Sequence, residues 1–188
     1  MALIKEKIPK TWVFPTQFYE KISSAGEDSV NRWTKNVNIF DCSLIIIPVH
    51  RPGHWSLVIV SVPEKTITCF NSLGPSTVDQ TCADIIMKYL TYEAKARGRS
   101  LNTQEWKTEM AKNVTMQNNS IDCGVFVCYY ARMVSEGKRC NHPPSVVHGM
   151  RLQVAKEVLA CKLLPGMVHV IRSILKIIAF VCLAFILL

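Results

Sequence analysis

A polar stretch that ends at a cysteine and continues into an apolar run constrains this chain more than any other feature. Residues Gln117–Gly124 read Gln-Asn-Asn-Ser-Ile-Asp-Cys-Gly, and the apolar residues Val125–Tyr130 follow directly. Asp122 is a favourable N-cap, so Cys123 is predicted to lie in the first turn of a buried helix. There the positive end of the helix dipole and unpaired backbone N–H groups favour the thiolate over the thiol. The pattern therefore predicts a nucleophilic cysteine.

The residues around this cysteine leave two interpretations open. Gly124 leaves room for a substrate backbone to approach, and Gln117 carries an amide donor that the turn could direct at an oxyanion. The alternative is a capped core helix with a buried, inert cysteine, because free cysteine is among the most buried residue types. A base and an orienting residue elsewhere in the chain would favour the catalytic interpretation.

A base and an orienting residue are both found on predicted strands. The unbroken apolar run Leu44–Val49 indicates a strand buried on both faces. After a turn at residues 50–53, His54 opens a second strand, whose hairpin partner ends at Asn71. His54 and Asn71 are then at the same end of a two-stranded ribbon, within hydrogen-bonding reach, as a base and its orienting residue require. His50, in the turn, is a competing candidate for the base.

Apolar residues recur at helical spacing in four segments, which predicts four helices. These cover residues 16–24, 78–97, 123–134 and 147–164, whereas the polar segment Lys107–Asn113 is predicted to be a loop. In the last helix the apolar residues 152, 155, 158 and 159 form the predicted buried face. Pro165 and Gly166 then interrupt the chain, so residues 1–164 are predicted to form one domain.

The net charge favours an acidic partner. The 188 residues include 22 Lys and Arg against 14 Asp and Glu, a formal net charge of +8, which suits nucleic acid, anionic lipid or an acidic protein surface. The basic residues are scattered, and neither an arginine-rich arm nor a zinc finger is present. Nucleic acid is therefore not the expected partner.

The eight cysteines predict an intracellular protein with reduced thiols. They form no C-x-x-C pair, several lie in apolar runs, and the N-terminal residues do not resemble a secretory signal. Cys140, His142 and His148 carry metal-binding groups but form no tetrahedral set at a usual spacing. Neither a metal nor another cofactor is therefore expected.

The last segment, residues 165–188, differs in composition from the rest of the chain. Its second half, Ile177–Leu188, is an unbroken apolar run of 12 residues, and the roughly 20 residues that a bilayer span needs are reached only by counting from Val168. His169, Arg172 and Lys176 interrupt its first half, where long side chains could reach a headgroup layer. Residues 167–188 are expected to be a membrane anchor, an interfacial or docked helix, or a tail extraneous to the domain.

Taken together, the candidate residues form a set: an imidazole base, an orienting amide, a thiol nucleophile and an oxyanion donor, supplied by His54, Asn71, Cys123 and Gln117. With their flanks they resemble the SUMO-specific (sentrin/ubiquitin-like protein) cysteine protease family. The resemblance extends from Trp12 to about Leu164, with the candidate residues in the family's order. The matching segments are Arg32–Lys35, Ile47–His50, His54–Leu57, Asn71–Gly74 and Gln117–Gly124.

This resemblance implies a papain-like α+β peptidase with a small central mixed sheet flanked by helices. The enzyme would act as a monomer and cleave after the C-terminal Gly-Gly of SUMO or a related ubiquitin-like modifier. It would thereby mature precursors or release conjugates from lysine. Trp55 would cover the narrow tunnel that the two glycines occupy, where any Cβ would clash; the alternative for Trp55 is a core aromatic at a strand start.

Three features depart from the family's pattern. Asn71 stands where the family normally has Asp; an amide can orient imidazole but adds no charge to stabilise imidazolium. Asn71→Asp is therefore expected to retain or raise turnover. The tryptophan-containing segment and first helix that precede this region in the family have no counterpart here, which implies weaker substrate binding. Residues 165–188 have no counterpart in the family's domain.

These departures leave two rivals to an active thiol isopeptidase. One is a catalytically weak or inactive modifier-binding module, tethered to a membrane by its C-terminal tail. The other is a viral- or transposon-type protease of related fold that cuts glycine-containing polypeptides. The active enzyme is expected in the nucleus or cytoplasm, and the tethered form at an intracellular membrane.

Overall fold

A five-stranded mixed sheet forms the centre of the molecule. The computed structural model describes residues 10–160. The strands, in spatial order, are β1 (Thr11–Val13), β2 (Leu44–Arg51), β3 (His54–Ser61), β4 (Thr66–Phe70) and β5 (Lys107–Met110). The three inner strands pair antiparallel, whereas β1 and β5 pair parallel to β2 and β4 at the two edges. This arrangement confirms the predicted small mixed sheet.

Apolar side chains cover both faces of β2, as its unbroken apolar sequence predicts. Ile46 packs into a cluster on one face, together with Leu57, whereas Ile45 and Ile47 pack into a second cluster on the other face. This division follows from the alternation of side chains along a strand. The sheet therefore separates two apolar cores.

Two hairpins bring the candidate site residues to one end of the sheet. Pro52 and Gly53 connect β2 to β3, and Gly53 has a φ of 75°, which glycine adopts without strain. The turn predicted from the sequence is too long, because Arg51 still pairs with His54 across the hairpin. β4 then returns antiparallel to β3 and ends one residue before Asn71.

Within the described residues, four α-helices flank the sheet: α1 (Gln17–Ala25), α2 (Thr77–Ala96), α3 (Cys123–Ser135) and α4 (Pro144–Ala160). Short 3-10 helices cover Glu27–Val30, Ile39–Asp41 and Thr103–Glu105. Residues of α1 and α2 belong to one apolar core, and residues of α3 and α4 belong to the other. The buried residues of α1 are those that its periodicity predicts: Phe18, Tyr19 and Ile22.

The structure contains two edge strands that the sequence analysis did not predict. Lys107–Met110, predicted as part of a loop, form β5, and Thr11–Val13 form β1, which the sequence did not suggest. The side chains of Lys107, Thr108 and Glu109 are exposed. On an edge strand the backbone alone makes the pairing, so charged side chains are tolerated and hide the strand from a search for apolar alternation.

The predicted buried face of α4 is wrong at residue 152; residue 155 is half-buried, and the side chains of residues 158 and 159 lie outside the described part of the structure. Val147, Met150 and Val154 are buried, whereas Leu152 is 62% exposed. Both sets of residues are apolar at helical spacing, so the sequence pattern could not choose between them, and packing against α3 decides. Pro144 begins the helix earlier than predicted, in a position where its missing N–H has no cost.

No helix among residues 10–160 is both long and apolar enough to cross a bilayer. The predicted domain end at residue 164 and the apolar segment 165–188 lie outside the described residues.

Candidate active site

His54 and Asn71, predicted to meet at one end of the hairpin, are hydrogen-bonded there. His54 is the first residue of β3, and Asn71 follows the last residue of β4. Nε2 of His54 lies 2.9 Å from Oδ1 of Asn71. Asn71 is 9% exposed, so this bond is largely shielded from water.

The neighbours of the Asn71 amide determine which of its atoms faces the imidazole. Its Nδ2 donates to a carboxylate oxygen of Asp79 at 2.9 Å, and its Oδ1 accepts from the backbone N–H of Leu73 at 3.0 Å. If the amide were reversed, Nδ2 would face the N–H of Leu73 and Oδ1 would face the carboxylate of Asp79, and neither pair could form a hydrogen bond. Oδ1 therefore accepts from His54, which puts the proton of the neutral imidazole on Nε2. The lone pair is left on Nδ1, the ring atom that can act as a base.

Cys123 is the first residue of α3, where the sequence predicts it. The helix packs against β3, the strand that begins at His54. Cys123 is 3% exposed and belongs to the same apolar cluster as Trp55, the residue after His54. The thiol thus lies at a helix N-terminus, on the sheet face that carries Trp55. The roles of Cys123 as nucleophile and His54 as base stay predictions.

Four of the other described thiols have surroundings that keep them protonated. Burial raises the pKa of Cys69 to about 12 and that of Cys140 to about 11. Burial also raises the pKa of Cys42 and of Cys82 above its usual value. Because the thiolate is the reactive form, these four cysteines are poor nucleophiles at neutral pH.

The side-chain amide of Gln117 is held in one orientation. Its backbone N–H donates to the carbonyl of Ser72 at 2.9 Å, and the Ser72 hydroxyl donates to its Oε1. Its Nε2 donates to the carbonyl of Asn119 at 2.5 Å. One hydrogen of Nε2 remains for another acceptor, as an oxyanion donor requires. Its role at an oxyanion stays a prediction.

Asp122 stands at the predicted N-cap position of α3, but its carboxylate does not cap that helix. Instead it accepts from Arg151 at 2.5 Å and from Asn119 at 2.7 Å, and it lies 3.0 Å from Nδ1 of His148. Burial alone would raise the pKa of Asp122, but these hydrogen bonds lower it to about 2. Asp122, 1% exposed, thereby ties the loop before Cys123 to α4.

Trp55 is packed between the apolar core and a second histidine. It is 8% exposed, and its ring centroid lies 4.3 Å from that of His50. His50 is exposed, and its ring lies against this indole at an interplanar angle of 35°, whereas His54 makes the bond to Asn71. This favours His54 over His50 as the base. The proposed position of Trp55 above a substrate tunnel stays a prediction.

Asp79 is the site residue that the sequence analysis missed. It is 2% exposed, and its carboxylate accepts from the backbone N–H and the hydroxyl of Ser76 at 2.9 and 2.8 Å. The spacing Ser76-x-x-Asp79 at a helix start is the pattern of a capping box and was visible in the sequence. The additional contact to Asn71 was not visible, because it depends on the path of residues 72–75.

Residues 10–160 contain no group of three or more His, Cys, Asp or Glu side chains that could hold a metal ion. Of the three residues considered for a metal site, His142 bonds the hydroxyl of Tyr129 at 2.9 Å, His148 contacts Asp122, and Cys140 is buried.

The sequence matches, over residues 2–163, the family described as Ulp1 protease family, C-terminal catalytic domain. It is 39% identical over 162 residues to sentrin-specific protease 3 of Mus musculus. The aligned region covers 86% of this chain and 28% of that protein. It is 35% identical over 163 residues to sentrin-specific protease 2 of Homo sapiens. Here the aligned region covers 85% of this chain and 27% of that protein. The chain thus spans between a quarter and a third of the length of these relatives.

The solved structures similar to this one include two of the SUMO protease Ulp1. The C-terminal Ulp1 protease domain in complex with Smt3, the yeast ortholog of SUMO, has a TM-score of 0.74 at 26% identity, covering 85% of this chain and 72% of that chain. The SUMO protease Ulp1 with its catalytic cysteine oxidised to a sulfonic acid has the same TM-score and identity, covering 86% and 74%. These likenesses confirm the predicted papain-like α+β fold.

Proposed function

The chain belongs to the Ulp1 protease family, and we propose that it is a thiol peptidase that cleaves after the C-terminal Gly-Gly of SUMO or a related ubiquitin-like modifier. Two of its relatives are named sentrin-specific proteases, and one similar structure holds the yeast ortholog of SUMO. The chain covers only 28% of its mouse relative, so the proposal depends on the chain's own site residues.

The hydrogen bond between His54 and Asn71 is the observation that supports this proposal most directly. It places the imidazole proton on Nε2 and leaves Nδ1 free to accept a proton. The helix that begins with Cys123 packs against the strand that begins with His54. A thiol and an oriented base on packed elements are what acyl transfer to sulfur requires.

In the proposed reaction, Nδ1 of His54 takes the proton of Cys123, and Sγ attacks the carbonyl carbon of the modifier's last glycine. As the S–C bond forms, the carbonyl electrons move onto oxygen, where the remaining hydrogen of Gln117 Nε2 stabilises the charge. Collapse of this intermediate breaks the C–N bond, and the imidazolium gives its proton to the leaving amine. Water, deprotonated by the same Nδ1, then attacks the thioester carbonyl, and the C–S bond breaks. The modifier leaves with a free carboxylate, and the imidazolium returns its proton to Sγ of Cys123.

We assign substrate selection to Trp55 and propose that the enzyme acts as a monomer without a cofactor. A buried indole beside the path of the substrate would leave space for two glycines and reject residues with a Cβ. The proposed compartment is the interior of the cell, in nucleus or cytoplasm. Attachment to a membrane through residues 167–188 is a separate proposal, which fractionation of the full chain with and without that segment tests.

The decisive experiment is covalent capture by SUMO that carries a C-terminal vinyl sulfone. Wild type should form a thioether adduct, located at Cys123 by peptide mapping. Cys123→Ser should form none, whereas Cys42→Ser, the same change at a half-buried thiol elsewhere, should react like wild type. Binding of SUMO without capture would favour the modifier-binding module over the peptidase.

The two histidines provide a second, matched comparison. His54→Ala should lower the capture rate by about 100-fold or more, the scale of losing a general base. His50→Ala should retain capture to within a few-fold, because this exposed ring contacts Trp55 and not Asn71. Equal losses in both variants would contradict the assignment of His54. Capture of a generic glycine-containing peptide probe as fast as SUMO would favour the viral-type protease instead.

A further inference from the structure

We propose that Asp79 is a positioning residue of the site, which acts through the Asn71 amide and supplies the negative charge that this amide lacks. A neutral amide orients an imidazole but does not stabilise its protonated form. A carboxylate that accepts from the far end of the same amide can do both. The inference rests on the proposed peptidase activity and adds one residue to its machinery.

The contacts form an unbroken line from the imidazole to the carboxylate. Nε2–H of His54 donates to Oδ1 of Asn71, and Nδ2–H of Asn71 donates to Oδ2 of Asp79, each over 2.9 Å. The side-chain amide of Asn71 is conjugated. The negative charge of the Asp79 carboxylate next to Nδ2 therefore makes Oδ1 a stronger acceptor for the His54 N–H. Asn71 is 9% and Asp79 2% exposed, so solvent screens this effect little.

The carboxylate is itself fixed in place. Oδ2 accepts from the backbone N–H and the hydroxyl of Ser76 at 2.9 and 2.8 Å, at the start of α2. Oδ1 accepts from Arg51 at 3.3 Å. The longer bond and the 18% exposure of the Arg51 side chain leave the charge of Asp79 only partly compensated. The orientation of Asn71, and with it the protonated ring atom of His54, is therefore set from α2.

The other titratable groups around Asp79 are two thiols, the Tyr19 hydroxyl that bonds Cys82 at 3.1 Å, and the exposed carboxylate of Asp84. Cys69, on β4, donates to the backbone carbonyl of Asp79 at 3.5 Å, and Cys82 lies one turn further along α2. Burial and, next, the negative charge of Asp79 raise the pKa of Cys69, so this thiol stays neutral at the pH of the assay. Among the described groups that hydrogen-bond to Asp79, Arg51 carries the one opposing charge.

The alternative is that Asp79 only caps α2, and Asp79→Asn separates the two roles. An asparagine at this position can keep its oxygen toward Asn71 and Ser76; it loses the charge and, because its amide nitrogen then faces Arg51, the long bond to that residue. We expect kcat for a SUMO fusion to fall about tenfold, the scale of a hydrogen bond to a charged group. Because the imidazolium loses stabilisation, the alkaline limb of the pH profile of kcat/KM should move to lower pH. Affinity for uncleaved SUMO should be unchanged.

Two matched variants control for charge and for capping. Asp84→Asn makes the same change at an exposed position of the same helix and should leave the pH profile where it is in wild type. Ser76→Ala removes one contact of the cap but keeps the charge of Asp79, so it should lower the melting temperature without moving the alkaline limb. An Asp79→Asn profile that coincides with wild type would overturn the proposal.

The double variant Asn71→Asp with Asp79→Asn exchanges the two groups. The new carboxylate would accept from His54, and the new amide nitrogen, in place of Oδ2, would donate to this carboxylate and to the Ser76 hydroxyl. Its oxygen would accept from Arg51, so only the bond from the Ser76 backbone N–H is lost. We expect kcat to return to within about threefold of wild type. A folded double variant that is no more active than Asp79→Asn would overturn the proposal. If Asp79→Asn alone does not fold, the activity of the double variant relative to wild type is the test. Failure of wild type itself to capture SUMO vinyl sulfone would refute the peptidase and not merely the role of Asp79.

Discussion

Nδ2 of Asn71 lies 2.9 Å from Oδ2 of Asp79, so the amide that orients the candidate base is itself bound to a buried carboxylate. The two residues are eight positions apart, on either side of the turn between β4 and α2. Because Asp79 accepts only, a donor is needed at position 71. The asparagine is therefore matched to its surroundings, and substitutions at either position should be strongly coupled.

The single substitution Asn71→Asp should be costly, in contrast to the expectation from the sequence that it retains or raises turnover. It would bring two carboxylate oxygens to about the distance of the present hydrogen bond, and one carboxyl would have to hold a proton. We expect a loss on the order of 2 kcal/mol in the free energy of unfolding at pH 8, and lower turnover.

The sign of the pH dependence follows from the shared proton. A carboxyl whose pKa is raised in the folded state is least costly at low pH, and its cost grows as pH rises through that pKa. Urea titrations of the variant and wild type at pH 5.5 and pH 8 measure this. If Asn71→Asp lowers the free energy of unfolding by the same amount at pH 8 as at pH 5.5, the two carboxylates are not in contact.

The meeting of His54 and Asn71 could be predicted from the sequence because strand pairing is local and regular. One residue opens a strand and the other closes its hairpin partner, so antiparallel pairing alone brings them to the same end. The position of Cys123 at a helix start could be predicted for a similar reason, since a polar turn followed by an apolar run marks that boundary.

The remaining features depend on packing that a linear pattern does not contain. The carboxylate of Asp122 was expected to cap α3, but Arg151, His148 and Asn119 compete for it more effectively. The contact of Asp79 with Asn71 likewise requires the fold of an irregular turn. In both cases the residue type was informative, and its partner was set by tertiary structure.

Gln117→Ala should lower kcat about 100-fold and leave KM within a few-fold, because an oxyanion donor acts mainly in the transition state. Steady-state kinetics on a SUMO fusion measures this. Ser72→Ala is the matched control, since it removes the donor to Oε1 and leaves the Gln117 amide in place. We expect a loss of only a few-fold there. A rise in KM alone for Gln117→Ala would indicate a binding role instead.

Trp55→Phe should weaken discrimination between modifiers that end in Gly-Gly and modifiers that end in Ala-Gly. A smaller ring leaves room for one methyl group, worth about a tenfold change in the ratio of kcat/KM values. Trp33→Phe, the same change beside the other apolar core, should leave the ratio unchanged. If both variants keep the wild-type ratio, Trp55 is a core aromatic that does not select the substrate.

Asp122 should make the stability of the fold depend on pH in the acid range. Its pKa in the folded state is about 2, against an ordinary value of 3.8. A carboxyl with a lowered pKa stabilises the fold above its ordinary pKa, and this contribution is lost as pH falls from about 4 toward 2. The difference between the two pKa values corresponds to about 2 kcal/mol.

Asp122→Asn should therefore lower the free energy of unfolding by about 2 kcal/mol at pH 7, and the penalty should shrink as pH falls below 4. Urea titrations at pH 7 and pH 3.5 measure both values. Asp84→Asn, at an exposed position, should match wild type at either pH. Because Asp122 fixes the loop that leads to Cys123, its substitution should also slow capture by SUMO vinyl sulfone. A penalty that is the same at both pH values would mean that the carboxylate is held for its shape and not for its charge.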